Sequence, residues 1–264
     1  MRWFRAPGVD ERQFFVKAMA KKLLRRCGIR ISRSAQPNRF QAMDETLLLL
    51  QKLGFAPGCI IDGGANHTQW AEIASRVFPS ARSHLIEPQP ACQRALQKFA
   101  AAHPGTQIHP VALTEGGKTS VTMFDVDGSG SSGAFVGSAE VFAPGLKPVT
   151  LPATTLDELF ADKIFAGERV LLKLDLEGHE LPALRGAERL LKRIEVFVTE
   201  AHIFAPAAWQ RSLFGEIAAE MQRNGFELFD IASLSGRGRD ARLRIGDFVF
   251  VNKSSSLLKD REWS

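Results

Sequence analysis

Acids set directly beside glycines at the ends of apolar runs are the residues in this chain best placed to do chemistry. The first such place is Cys59-Ile60-Ile61-Asp62-Gly63-Gly64-Ala65-Asn66. An apolar run this short, preceded by Pro57-Gly58 and followed by glycines, predicts a buried parallel strand feeding a tight turn. In an open α/β sheet, ligands bind beyond the carboxyl ends of the strands, where glycines let the backbone approach a polar ligand closely. Asp62 stands at that edge. One predicted strand later comes Glu87-Pro88, a second acid at a strand end. In nucleoside-binding sheets an acid about 20 residues past the glycine turn accepts hydrogen bonds from ribose hydroxyls.

The turn is not G-x-G-x-x-G. An acid ahead of the glycines also repels a pyrophosphate and attracts a cation. Both points count against a nicotinamide dinucleotide. They favour a nucleoside carrying positive charge, such as the sulfonium and amino-acid portion of S-adenosylmethionine. Taken alone, the turn is equally a tight strand-to-helix connection with an ordinary capping acid.

The second constellation is Lys173-Leu174-Asp175-Leu176-Glu177-Gly178-His179-Glu180. Lys173, Asp175 and Glu177 alternate with Leu172, Leu174 and Leu176, which puts three charges on one side of a central strand. Buried charges are costly unless paired or functional. A lysine and a carboxylate satisfying each other in the interior is the plain alternative. The next strand ends in Glu200-Ala201-His202, bringing Glu200 and His202 to the same edge. Carboxylates and an imidazole near one point suffice for general-base work on a hydroxyl or for a divalent metal.

The elements that position these groups follow from periodicity. Predicted strands at 83–88, 106–113, 169–176, 193–199, 226–231 and 247–251 alternate with predicted helices at 68–78, 90–102, 179–191 and 214–223, the signature of a doubly wound sheet. Thr155 to Phe160 starts another helix, with Thr154 or Thr155 as cap. Thr119–Val126 and Val149–Leu151 read as added strands. Asp127 to Ser138 reads as a Ser/Gly loop able to close over a ligand. The last two strands are joined by the basic loop Arg237–Arg244 without a helix, so they must be antiparallel. Those arginines suit an anionic acceptor as well as plain solvation. Ahead of the sheet, residues 10–27 predict a helix with Phe15, Met19 and Leu23 on one face and Lys17, Lys21 and Arg25 on the other. Such a helix packs on a core or lies on a membrane surface.

Composition sets the bounds. The chain has 264 residues, 45% hydrophobic and 24% charged, with net charge +5 and three cysteines. These values predict one soluble α/β domain, divided as a helical extension over 1–54, the sheet domain over 55–253 and a tail over 254–264. Scattered cysteines and an amino terminus without a signal pattern predict a cytoplasmic protein, with peripheral contact at the inner face of the membrane through the basic helix. No nucleic-acid reading module is recognisable.

The order Asp62-Gly63-Gly64-Ala65-Asn66, Glu87-Pro88, Ala112-Leu113, Thr154-Thr155-Leu156-Asp157, Lys173 to Glu180, Leu184-Arg185-Gly186 and Glu200-Ala201-His202 resembles the FkbM family of methyltransferases. The resemblance runs from about Ile60 to His202, more weakly over the last two strands. It implies a class I, Rossmann-like S-adenosylmethionine fold, a seven-stranded, mostly parallel sheet with an antiparallel last strand. It also implies O-methylation of sugar, glycan, glycolipid or natural-product hydroxyls. The glycine turn, with Gln69 after it, would hold the methionine part, Glu87 and Pro88 the ribose, and Val111-Ala112 the adenine. Asp175 would be the orienting or basic carboxylate, with Glu177, Glu200 and His202 as second candidates. The chain departs from the family at Thr68, where members often carry a glycine. A rival of another class is a non-catalytic adenosyl-nucleoside module docking on a membrane or partner.

Overall fold

The computed structural model describes residues 38–41, 43–124, 135–136, 148–164, 167–205, 211–260 and 262. The expected basic helix over 10–27 and most of the Ser/Gly loop lie outside these residues.

The short apolar runs become parallel strands covered on both sides, as their lack of alternation requires. In chain order they are β1 (Asn38–Gln41), β2 (Cys59–Gly63), β3 (Arg82–Ile86), β4 (Gln107–His109), β5 (Ala112–Leu113), β6 (Ser120–Phe124), β7 (Phe135–Val136), β8 (Pro148–Thr154), β9 (Val170–Leu174), β10 (Val196–His202), β11 (Phe226–Gly236) and β12 (Leu243–Asn252). The main sheet has the order β1-β11-β12-β10-β9-β2-β3-β4. Strands β4, β3, β2, β9 and β10 are mutually parallel, and β12 runs against β10 and β11. The seven-stranded sheet with its antiparallel final strand is therefore present. An unforeseen eighth strand, β1, runs antiparallel along β11.

The helices are α1 (Met43–Lys52), α2 (Gln69–Val77), α3 (Gln93–Ala102), α4 (Leu156–Phe160), α5 (Glu180–Arg185) and α6 (Phe214–Arg223). Helices α4, α5 and α6 bury Leu156, Phe160, Ala183, Leu184, Ile217 and Met221 against Ile61, Leu172, Leu174 and Phe197. On the opposite face α1 and α2 bury Leu47, Leu50, Ala74 and Val77 against Ile60, Leu171, Val196 and Val198. Helix α4 begins with a capping box: Thr155 Oγ1 accepts from the Glu158 amide at 3.0 Å, and Glu158 returns the bond at 2.9 Å.

Two expectations change in detail. The strand expected over 106–113 splits, because Pro110 has no amide to continue the ladder. The Val111 amide folds back on the His109 carbonyl at 2.9 Å. Beyond that bend β5 joins a separate four-stranded sheet, β5-β8-β6-β7. The helix expected over 179–191 stops at Gly186, where a side chain would strike the Thr114 carbonyl, and resumes as a 3-10 turn over Leu190–Arg193. Among the described residues no helix is long and apolar enough to cross a membrane.

Candidate active site

The carboxyl ends of β2, β3 and β9 enclose a cleft of about 590 Å³ whose walls include Gly64, Asn66, Glu87, Pro88, Val111, Ala112, Asp175 and Glu177.

The glycine bend is built by exclusion. A Cβ on Gly63 would come within 2.6 Å of the Leu174 side chain and 3.0 Å of Leu113. Gly64 sits at φ +75, and a Cβ there would overlap the Asp175 carbonyl. No other residue fits either position. Every bend amide is already used. Gly64 and Ala65 donate to the Ile86 carbonyl at 2.9 and 3.1 Å, and Thr68 to the Ala65 carbonyl at 2.8 Å. The Asn66 amide donates to Glu87 Oε2 at 3.0 Å, and the His67 amide to Asn66 Oδ1 at 2.8 Å. The bend therefore offers no row of free N–H groups, the feature that would hold a phosphate.

Glu87, 3% exposed, takes the Asn66 amide on one oxygen and the Gln89 amide on the other, each at 3.0 Å. Burial pushes its carboxyl above the ordinary range, and those amides offset only part of the shift. Its remaining lone pairs are acceptors at the cleft wall, as a ribose diol requires.

Asp62 has a different role from the one its position suggested. It is fully buried, it is not among the cleft-lining residues, and the cation it meets is Lys173, whose Nζ is 2.9 Å from Asp62 Oδ1. The same ammonium donates to the Gly64 carbonyl at 2.8 Å and the Gly63 carbonyl at 3.3 Å. Burial works to lower the Lys173 pKa, but Asp62 and Asp175 outweigh it and keep the amine charged. The plain reading of a self-satisfying interior pair thus applies to Lys173 and Asp62. It does not extend to Asp175, which is 3.8 Å from the ammonium with a side chain 39% exposed.

The loop after β9 is held by Glu180, 2% exposed, whose Oε1 accepts from the Leu176 and Gly178 amides at 2.8 and 3.1 Å. Between those amides Glu177 adopts φ 53, a strained conformation for a residue with a side chain. Its carboxylate reaches Arg211 at 3.4 Å. Burial, then Asp175, push its carboxyl up to about 7, with Arg211 opposing.

The expected residues divide. Gly63 and Ala65 are packed into the fold, Gln69 is exposed at the start of α2, and none of the three lines the cleft. Glu200 and His202 end β10 outside the lining. Burial, then Asp175 and Asp247, push Glu200 up to about 9, so it carries its proton at neutral pH. Burial, then Arg211 and Arg244, bring His202 down to about 4. Asp247, opposite Glu200 on β12, was not foreseen and is raised to about 6, chiefly by burial. Among the described residues no group of three or more His, Cys, Asp or Glu has the arrangement to hold a metal.

Gln89, Met123 and His179 also line the cleft and were not anticipated. Gln89 lies two residues beyond Glu87 and was open to inference. Met123 arrives from the small sheet, and no local pattern announces that. Val136, also in the lining, falls within the 127–138 segment expected to close over a ligand.

The model of the FkbM methyltransferase domain matches residues 62–228. The chain belongs to the FkbM methyltransferase family. No curated protein matches it. Solved structures similar to this FkbM chain include precorrin-6y C5,15-methyltransferase from Geobacter metallireducens GS-15, at 12% identity over 79% of this chain and 87% of that one, TM-score 0.41. Magnesium protoporphyrin IX methyltransferase from Synechocystis PCC 6803, solved with bound SAM, is 9% identical over 94% and 86%, TM-score 0.44. The 1,6-didemethyltoxoflavin-N1-methyltransferase from Burkholderia thailandensis, solved with S-adenosylhomocysteine, is 10% identical over 94% and 93%, TM-score 0.43.

Thr68 stands where the resemblance leads one to expect a glycine. This threonine sits at φ 71, ψ 10 as the N-cap of α2. A β-branched residue there is strained, by about 1–3 kcal/mol.

Proposed function

We propose that the chain transfers a methyl group from S-adenosylmethionine to a hydroxyl of a sugar, glycan, glycolipid or natural product. The observation that carries this reading is one cleft shared by the glycine bend, the ribose-type acid Glu87 and two carboxylates, Asp175 and Glu177. The residues fit the donor. The bend excludes side chains and leaves no row of free amides, so it does not suit a phosphate. Val111 and Ala112 give the apolar wall an adenine ring needs, and Glu87 gives acceptors for the ribose.

When bound, the donor supplies an electrophilic methyl on sulfur. The chain's own work is to align the hydroxyl and take its proton, and alignment alone contributes up to roughly 7–11 kcal/mol in well-oriented systems. Asp175 orients the hydroxyl or takes its proton. Glu177, held near neutrality, is the second acceptor at the same wall. Glu200 is already protonated at neutral pH and cannot take the proton first. The arginines of the β11–β12 connection, Arg237, Arg239 and Arg242, with Arg244 at the start of β12, suit an acceptor with an anionic group.

Calorimetry with S-adenosylhomocysteine and with NAD tests the donor. Binding of NAD alone would end this reading. Label transfer from radiolabelled S-adenosylmethionine to sugar nucleotides and lipid-linked glycans tests the acceptor class, and label found only on nitrogen would overturn the O-methyl assignment.

A further inference from the structure

The geometry points to Lys173 as the positioning residue of the donor site, a buried ammonium that sets the glycine bend by holding the carbonyls of Gly63 and Gly64. This inference rests on the donor reading above.

Four observations carry it. The Lys173 side chain is 6% exposed and the Asp62 side chain 0%, so the pair is sealed from water and cannot reach a substrate. The ammonium has three donors, and three acceptors surround it: Asp62 Oδ1 at 2.9 Å, the Gly64 carbonyl at 2.8 Å and the Gly63 carbonyl at 3.3 Å. Neither oxygen of Asp62 has a hydrogen-bond partner among the described residues, so the ion pair with Lys173 is what compensates its charge. The bend is also anchored from the other side, where the Asp175 amide donates to the Gly63 carbonyl at 3.1 Å. Lysine and aspartate thus frame the bend from neighbouring positions of one β9 face.

The division of labour follows. Lys173 fixes the carbonyls of two residues that have no side chains of their own to hold them. Asp62 and Asp175 together keep the lysine charged in a dry interior, so the ammonium retains a counter-charge when Asp62 alone is neutralised. Charge-assisted bonds to carbonyls are short and directional, so they fix the bend more tightly than neutral contacts. Lys173 also stands 3.8 Å from Asp175, the carboxylate proposed for the acceptor side. One ammonium therefore registers the donor wall against the acceptor wall.

The test must separate positioning from folding, because removing Lys173 alone strands a buried Asp62. The variant Asp62→Leu/Lys173→Met replaces the pair with apolar groups of similar size, and Asp62→Asn leaves the ammonium on the two carbonyls. Each is titrated with S-adenosylhomocysteine alongside the wild-type chain, with thermal unfolding recorded in parallel. The expected result is a wild-type melting profile for the double variant and a lowered one for Asp62→Asn, with an affinity loss in the folded protein of about tenfold or more for the double variant and within about threefold for Asp62→Asn. A double variant that binds as tightly as wild type overturns the inference. So does an Asp62→Asn variant that loses as much as the double, since the acid would then carry the effect. If the double variant does not fold, Asp62→Asn/Lys173→Met, which leaves no unpaired charge, is read by the same titration, with retained affinity overturning the inference. A wild-type chain that does not bind takes down the donor reading itself, an outcome distinct from failure of the variants alone.

Discussion

The two faces of the main sheet are made by the same strands and differ in what they do along their length. On the face covered by α4, α5 and α6 the rows Leu172-Leu174, Phe197-Thr199-Ala201 and Phe248-Phe250 carry no charge to the end of the strands. On the face covered by α1 and α2 each row starts apolar and turns charged toward the carboxyl edge. Ile60 leads to Asp62, Leu171 to Lys173 and Asp175, Val198 to Glu200, and Val249 to Asp247. The first face stores stability. The second gives up apolar burial at one end to create a polar floor. The register carries the lesson: Asp62 lies beside Lys173, and Glu200 beside Asp247, so the charges gather across strands that are distant in sequence.

The sharpest way to break this contrast is one substitution on each face. Phe197→Ala on the apolar face should cost about 3–5 kcal/mol in denaturant unfolding while leaving S-adenosylhomocysteine affinity unchanged in the folded fraction. Asp175→Asn on the other face should reverse the pattern. Turnover should fall by about 10²–10⁴-fold, the range for loss of a general base, with donor affinity and unfolding midpoint retained. Normal turnover by that variant would remove Asp175 from its role.

A pH series sharpens the contrast further. Glu200 is held at about 9 against an ordinary 4.5, so between those values the unfolded chain ionises while the folded one keeps its proton. Its contribution to stability is therefore lost as pH rises through that window. Glu200→Gln should flatten the alkaline decline in melting temperature. On the apolar face His84, packed on Phe160, is brought down to about 4 by burial, then by His109, Arg82 and Lys163. Its contribution is lost instead as pH falls from 6.5 toward 4, and Glu200→Gln should leave that acid limb alone. The smallest effect belongs to Thr68→Gly, which removes the strained φ. It should raise stability by about 1 kcal/mol or less after the entropy of glycine is subtracted, and a fall in melting temperature would contradict the strain.

Much of this fold is legible in the residues because strands covered on both sides announce themselves as short apolar runs. The cap Thr155, the helix 214–223 and the antiparallel pairing of the last strands follow from local rules. The eighth strand β1 and the split at Pro110 do not, since both depend on which distant edge is free to pair. At the site, Gly64, Asn66, Glu87, Asp175 and Glu177 can be read from position, while Val111 and Ala112 come from the family resemblance. The partnership that takes Asp62 out of the cleft cannot, because Asp62 and Lys173 are separated by the whole α/β crossover. Met123 is hidden for the same reason, arriving from a second sheet, whereas Val136 lies within the Ser/Gly segment expected to close over a ligand.

A crystal structure with S-adenosylhomocysteine bears most directly on the whole account. The prediction is a nucleoside lying between Glu87 and Val111-Ala112, with the sulfur beside Gly64 and facing Asp175. A ligand bound elsewhere, with the bend filled by the chain's own side chains, would contradict it.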